Sequence, residues 1–207
     1  MPNPWLTVPL ADYEGHMRSP KIQQLVPLSK LFTKALACCR PTSVAVLGIA
    51  GGNGLDQIDA SVTTRVVGLD VSAVYLDAVR QRYPLMRGLQ LYHADLAGEA
   101  LDLEPVQLVH AALIFEHAGT GQCLENALSL VADGGSLSVV LQLPSEIEQG
   151  VSPSEFSAIQ NLKSHFSLVD RKWFQQILER RNFRIKEQVE YSLPASKGLW
   201  MGIFSRE

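Results

Sequence analysis

The residue types best suited to chemistry fall in four short stretches. Residues 46–54 read Val-Leu-Gly-Ile-Ala-Gly-Gly-Asn-Gly. Glycines there let the backbone turn tightly and let a ligand approach with no Cβ in the way. The spacing excludes two common nucleotide loops. Counted from Gly52 the sixth position is Gln57, and counted from Gly48 the third is Ala50, so the G-x-G-x-x-G dinucleotide pattern is absent. No Gly-Lys-Ser/Thr follows, so the P-loop is absent too. Asp70 and Asp95 each close a later apolar run. At a strand end, Asp70 suits the two hydroxyls of a ribose; otherwise it is an acidic charge at the start of the next helix. Asp95 suits an exocyclic amine, or is a plain loop aspartate. The fourth stretch, residues 110–117, reads His-Ala-Ala-Leu-Ile-Phe-Glu-His. Glu116 and His117 follow an apolar run, where a general base for an oxygen nucleophile can sit; the plainer reading of His117 is a polar residue at a helix start. His110 lies inside the run and reads as a buried, hydrogen-bonded histidine.

The elements that must position these groups alternate in type. Residues 43–47, 65–70, 89–95, 106–112 and 136–141 are short apolar runs. Between them lie helix-length segments. Ser72 caps one that carries Leu76, Val79 and Tyr83 and stops at Pro84. Leu124, Ala127, Leu128 and Val131 mark another at helical spacing. The glycine run is expected to open a helix. This order predicts parallel βαβ units with helices on both faces. A helix over residues 170–181 is followed by strands at 183–191 and 199–204 with no helix between, which predicts an antiparallel hairpin. The fold expected is therefore α/β, a Rossmann-like, doubly wound, mostly parallel seven-stranded sheet ending in an antiparallel hairpin. At the start of the chain, residues 1–19 read as an arm of mixed character. A helix is expected from Ser19-Pro20, broken or restarted at Pro27 and ended by Pro41.

Composition narrows the function. The chain has 207 residues, 46% of them hydrophobic, and a formal charge of −3 with a pI near 6.0. That suits one domain: an arm with helices over 1–40, a core over 41–143, an insertion or lid over 144–168, and a helix with hairpin over 169–207. The acidic balance argues against a nucleic-acid partner or an anionic membrane. No run approaches the roughly 18 apolar residues of a membrane span. Three cysteines, two of them adjacent, and five histidines show no framework or zinc-ligand spacing. They point to a reducing cytoplasm, no disulfide and no metal.

The order of the motifs resembles class I S-adenosylmethionine-dependent methyltransferases, small bacterial-type members in particular. The resemblance rests on residues 46–54, Gly68-Leu-Asp-Val-Ser72, His93-Ala-Asp95 and residues 110–117. Asp12-Tyr-Glu-Gly-His-Met17 is similar to an N-terminal arm of some members. The resemblance implies S-adenosyl-L-methionine as cofactor. Its methionine part would lie over Gly48, Ala50, Gly52 and Gly54, with Asp70 on the ribose and Val71 beside the adenine. Asp95 would face the adenine amine, with Leu96 next to it. The segment Ala111 to His117 would face the reacting end, with His117 and Glu116 as catalytic candidates. Tyr13 and His16 would fold over the cofactor, or else belong to a surface arm. Two positions depart from the pattern. Gly48 stands where an acidic residue is usual, and Ala50 stands for Gly, which is tolerable at negative φ. The implied activity is methyl transfer to a small-molecule acceptor enclosed by residues 1–19 and 144–168. A non-catalytic protein that binds S-adenosylmethionine or S-adenosylhomocysteine and acts through a partner is the alternative. A nicotinamide-dependent oxidoreductase is a third reading, opposed by the missing fingerprint. Trp5, Trp173 and Trp200 read as core or interface residues.

Overall fold

The computed structural model describes residues 3–145, 151, 154–194 and 197–207. Its centre is a seven-stranded sheet: β1 Ser43–Leu47, β2 Arg65–Asp70, β3 Leu89–His93, β4 Val106–Ala112, β5 Val131–Leu143, β6 Phe183–Ser192 and β7 Gly198–Arg206. The spatial order is β3-β2-β1-β4-β5-β7-β6. Strands β1 to β5 pair in parallel, and β7 runs antiparallel to both β5 and β6. The expected fold class is the observed one. Strand order reverses between β1 and β4, and such a switch point opens a crevice at the carboxyl ends of the strands.

Side-chain alternation divides the core between the two faces of the sheet. Ala45, Leu47, Val67, Leu69 and Val109 face one cluster, completed by helices α5 (Gln122–Ser129) and α7 (Arg171–Arg180). Val44, Val66, Leu108 and Val140 face the other, covered by α2 (Leu25–Cys39) and α3 (Ala73–Arg82). Both faces of β2 are covered, which is why Val66 through Asp70 are all buried. The edge strand β6 is mostly exposed, and Lys186, Glu187 and Glu190 discourage further strand pairing there.

Local chemistry explains where the helices differ from expectation. The arm contains a helix, α1 (Leu10–Arg18), and residues 19–24 turn instead of starting one. Helix α2 begins at Leu25 and carries Pro27 in its first turn, where the missing N–H has no intrahelical partner to lose. Val131 opens β5 instead of ending α5, and β5 passes through Gly134-Gly135 where its register against Val106 and Leu108 shifts. The largest difference follows β1. The glycine run opens no α-helix. Only a 3₁₀ turn at Leu55–Gln57 interrupts the connection to β2, so no full helix dipole points at the crevice from this loop.

Residues 157–165 of the lid segment form α6 (Ser157–Gln160) and a 3₁₀ turn. Helix α7 starts at a side-chain cap: Trp173 N donates to Asp170 Oδ1 at 2.7 Å. Asp170→Ala should therefore cost about 1 kcal/mol and lower Tm by roughly 2–4 °C, measured by calorimetry; no change would mean the cap contributes nothing. Among the described residues no helix is long and apolar enough to cross a membrane, and no group of three His, Cys, Asp or Glu residues could hold a metal.

Candidate active site

A deep cleft opens at the carboxyl ends of β1, β2, β4 and β5. Gly48, Ala50, Asp70, Val71, Asp95, Leu96, Leu113, Ile114, His117 and Gln142 line it from the sheet side. Gly48 has φ +65, and a Cβ there would stand 2.8 Å from Ile114 Cδ1. Ile114 thus occupies the space into which an acidic side chain at position 48 would project. The departure at Gly48 is matched by a complementary apolar residue from the far side of the cleft.

An alanine at position 50 is free of backbone strain only at negative φ. Its φ is +47, a left-handed conformation that costs an alanine on the order of 1 kcal/mol. A hydrogen bond from Ala50 N to Asp70 Oδ2 at 2.9 Å holds it there. Arg82 reinforces the loop, donating to Gly51 O at 3.0 Å and pairing with Glu14 of α1. Gly52 and Gly54 turn away from the cleft. Tyr83 Oη donates to Gly52 O, and Gly54 packs beside Phe32 and Ser29 of α2.

Asp70 is buried, and its second oxygen, Oδ1, accepts from Ser72 N at 2.9 Å. Burial pushes its carboxyl above the ordinary range, while the bonds from Ser72 and Ala50 and the nearby His93 pull it down. One N–H on each oxygen leaves lone pairs for further donors. Asp95 is exposed and accepts from Ala97 N. Leu96 is buried beside it. Ala111 is wholly buried in β4 and does not line the cleft; Ala112, Leu113 and Ile114 do. Leu113 is itself at φ +55, so backbone strain concentrates on both sides of the crevice.

Short helix α4 (Phe115–Ala118) separates the two catalytic candidates. His117 lines the cleft. Trp5 and Phe166 lie edge-on to its ring, with centroids at 4.9 and 5.3 Å. Burial, with a smaller effect from His165, pushes its pKa down to about 4, so the ring is neutral at pH 7. Its Nδ1 is buried with no hydrogen-bond partner. Glu116 turns into the core and does not line the cleft. Its Oε1 accepts from Gln142 N at 2.8 Å, its Oε2 has no partner, and burial pushes its pKa up to about 7. His110 lies apart, within hydrogen-bond distance of Ser138 Oγ and against the Phe32 ring.

The roof comes from the two segments that the sheet does not need. Trp5, Tyr13, His16 and Met17 line the cleft from the arm; Val151, Ile159, Leu162 and Phe166 line it from the lid. Val8, Ile159 and Leu162 form a small buried cluster with Trp5, Tyr13 and Phe156 packed on it. Gly15 makes the junction possible, because a Cβ there would stand 2.6 Å from the Phe156 ring. Tyr13 stacks near Tyr75, whose hydroxyl donates to Val8 O. The segment expected at the reacting end supplies Leu113 and Ile114 to the lining, whereas sequence reasoning did not single out Gln142, Lys197 and Phe166, which carry no motif. It read Trp5, Trp173 and Trp200 alike as core or interface residues; Trp5 lines the cleft, and Trp200 alone of the three is fully buried. Residues 146–150 and 152–153 of the expected lid lie outside the described residues.

No protein-family model and no curated relative matches the sequence. Solved structures do match. The N-methyltransferase NodS from Bradyrhizobium japonicum WM9, in complex with S-adenosyl-L-homocysteine, aligns at a TM-score of 0.68 and 13% identity, over 93% of this chain and 95% of its own. Magnesium protoporphyrin IX methyltransferase ChlM from Synechocystis PCC 6803, with the same ligand bound, gives 0.66 and 11%, over 92% and 86%. The [4+2]-cyclase SpnF gives 0.68 and 10%, over 91% and 83%. The chain has the Rossmann-like fold of class I S-adenosylmethionine-dependent methyltransferases. The cyclase shows that this architecture alone does not choose a reaction.

Proposed function

We propose that this protein is an S-adenosyl-L-methionine-dependent methyltransferase acting on a small-molecule acceptor. The observation that carries the reading is a single cleft. It joins the glycine loop, the carboxylates of Asp70 and Asp95, and a roof built from both non-sheet segments.

The residues fit the cofactor. Asp70, already oriented by two backbone N–H groups, accepts the ribose hydroxyls. Val71 and Leu96 flank the adenine, and Asp95 accepts from its amine. Gly48 and Ala50 lie beneath the methionine portion; Gly52 and Gly54 shape the loop from behind. Tyr13 closes over the ribose end from α1. When bound, the cofactor supplies an activated methyl group on sulfur. The protein's task is then to align a nucleophile and exclude water. The roof performs both. His117 is the cleft group placed to take the proton of an acceptor hydroxyl; burial keeps its ring neutral but also weakens it as a base, so the proton moves only as the methyl bond forms. Glu116 acts at one remove, since its bond to Gln142 N fixes α4 against the end of β5.

Thermal denaturation tests the reading. S-adenosylmethionine or S-adenosylhomocysteine at a hundred times Kd should stabilise the protein by roughly 2.7 kcal/mol, with NAD without effect. Stabilisation by NAD alone, or by none of the three, would overturn it. Stabilisation by both adenosyl ligands with no methyl transfer to any small-molecule acceptor would favour the non-catalytic, partner-directed alternative.

A further inference from the structure

We infer that the acceptor chamber selects an uncharged aromatic alcohol, its ring held between Trp5 and Phe166 and its hydroxyl directed at His117 Nδ1. The inference rests on the methyltransferase reading and adds the chemical class of its substrate.

Three observations carry it. First, the roof offers aromatic rings around His117. Trp5 and Phe166 both meet its ring edge-on, at interplanar angles of 87° and 72°. Trp5 also meets Tyr13 edge-on at 5.5 Å. Edge-to-face geometry of this kind favours another aromatic ring over a flexible chain, which must also be ordered on binding. Second, His117 Nδ1 is enclosed and lacks a partner. A buried polar nitrogen without a hydrogen bond is costly and calls for an explanation. A hydroxyl answers it in either tautomer, because it both donates and accepts. Nδ1 has almost no exposed surface, so a ligand hydroxyl reaches it by displacing a side chain packed around the His117 ring.

Third, the described residues lining the place where the ring would sit are apolar. The lid residues Val151, Ile159, Leu162 and Phe166, with Trp5 of the arm, are all uncharged. Lys197, the Lys or Arg among the described lining residues, is buried and already engaged, next to Leu193 on the α2 side. The other charged groups lining the cleft include the carboxylates of Asp70 and Asp95, which repel an anionic acceptor. A cationic one would lose hydration among these apolar walls, with no carboxylate among the described roof residues that line the cleft to receive it. In the transfer itself, the hydroxyl oxygen forms a bond to the methyl carbon. The carbon–sulfur bond breaks with its electron pair going to sulfur, and the hydroxyl proton passes to His117.

Ligand-observed NMR titrations on the full chain saturated with S-adenosylhomocysteine test this without turnover. The probes are 4-ethylphenol, ethylbenzene, 4-ethylbenzoate, benzylammonium and 1-heptanol. The expected result is 4-ethylphenol tightest, by at least tenfold over 4-ethylbenzoate and benzylammonium and severalfold over ethylbenzene and 1-heptanol. His117→Phe should erase the preference for 4-ethylphenol over ethylbenzene. Phe166→Ala should weaken both rings while leaving S-adenosylhomocysteine affinity within a few-fold. Equal or tighter binding of a charged probe or of 1-heptanol, or a hydroxyl preference that survives His117→Phe, would overturn the inference. Failure of S-adenosylhomocysteine to bind would instead overturn the cofactor reading beneath it.

Discussion

Asp70→Ala is expected to lower affinity for S-adenosylhomocysteine at least a hundredfold and to destabilise the ligand-free protein by about 2 kcal/mol. The two effects have separate causes. Charge-assisted hydrogen bonds to two ribose hydroxyls contribute roughly 1.5–3 kcal/mol each, which alone accounts for the affinity loss. The stability loss follows from what the carboxylate does before any ligand arrives. It accepts from Ala50 N and Ser72 N, so alanine leaves two backbone donors without their partner and frees Ala50 from its left-handed conformation. From the sequence, Asp70 is a candidate for the ribose hydroxyls; in the structure it also pins the glycine loop to the end of β2. Asp70→Asn separates the roles. It keeps an acceptor for one of the two amides and should retain most of the stability, while affinity still falls tenfold or more. Calorimetry with unchanged affinity in both variants would show that Asp70 serves only the loop.

How much could be read beforehand depended on whether a feature was set by local chemistry or by distant contacts. The five parallel strands and the terminal hairpin were legible because short apolar runs separated by helical spacing admit few arrangements. Asp70 and Asp95 were legible as strand-end carboxylates. The missing helix after β1 was not. A glycine run ending a strand commonly opens one, and only the packing of α2 and Leu55 in the same apolar cluster shows how the face is filled without it. The strain at Ala50 was hidden for a related reason. Alanine avoids positive φ in isolation, and the Asp70 bond that overrides this preference joins residues far apart in sequence. The roof followed from elimination, since residues 1–19 and 144–168 had no place in the sheet. Its aromatic side chains Trp5 and Phe166 became visible only through their contacts with His117.

Glu116→Gln is expected to make the protein more stable at pH 8, with the gain shrinking to under about 1 kcal/mol at pH 5. The wild-type carboxyl is fully enclosed and its folded pKa is raised to about 7, against an unfolded value near 4.5. Between those values the folded protein holds a proton that the unfolded chain has released. Stability therefore falls as pH rises through this window and is constant above it. The span corresponds to roughly 3 kcal/mol, an upper figure for a site that can relax. His110 and His117 act in the opposite sense. Both are buried neutral with pKa values lowered to about 4, so their contribution is present above about pH 6.5 and is lost as pH falls towards 4. The wild-type profile mixes the two trends, but the difference between wild type and Glu116→Gln isolates the carboxyl. Glutamine keeps an oxygen for Gln142 N, preserving the α4–β5 junction, and places a neutral amide where the unpartnered Oε2 lay. Urea unfolding at pH 5, 6, 7 and 8 should show the variant's advantage growing to about 2–3 kcal/mol and levelling off above pH 7. A difference that stays flat across the series would mean that Glu116 ionises as an ordinary carboxylate, and that water or a local opening reaches Oε2 in the folded protein.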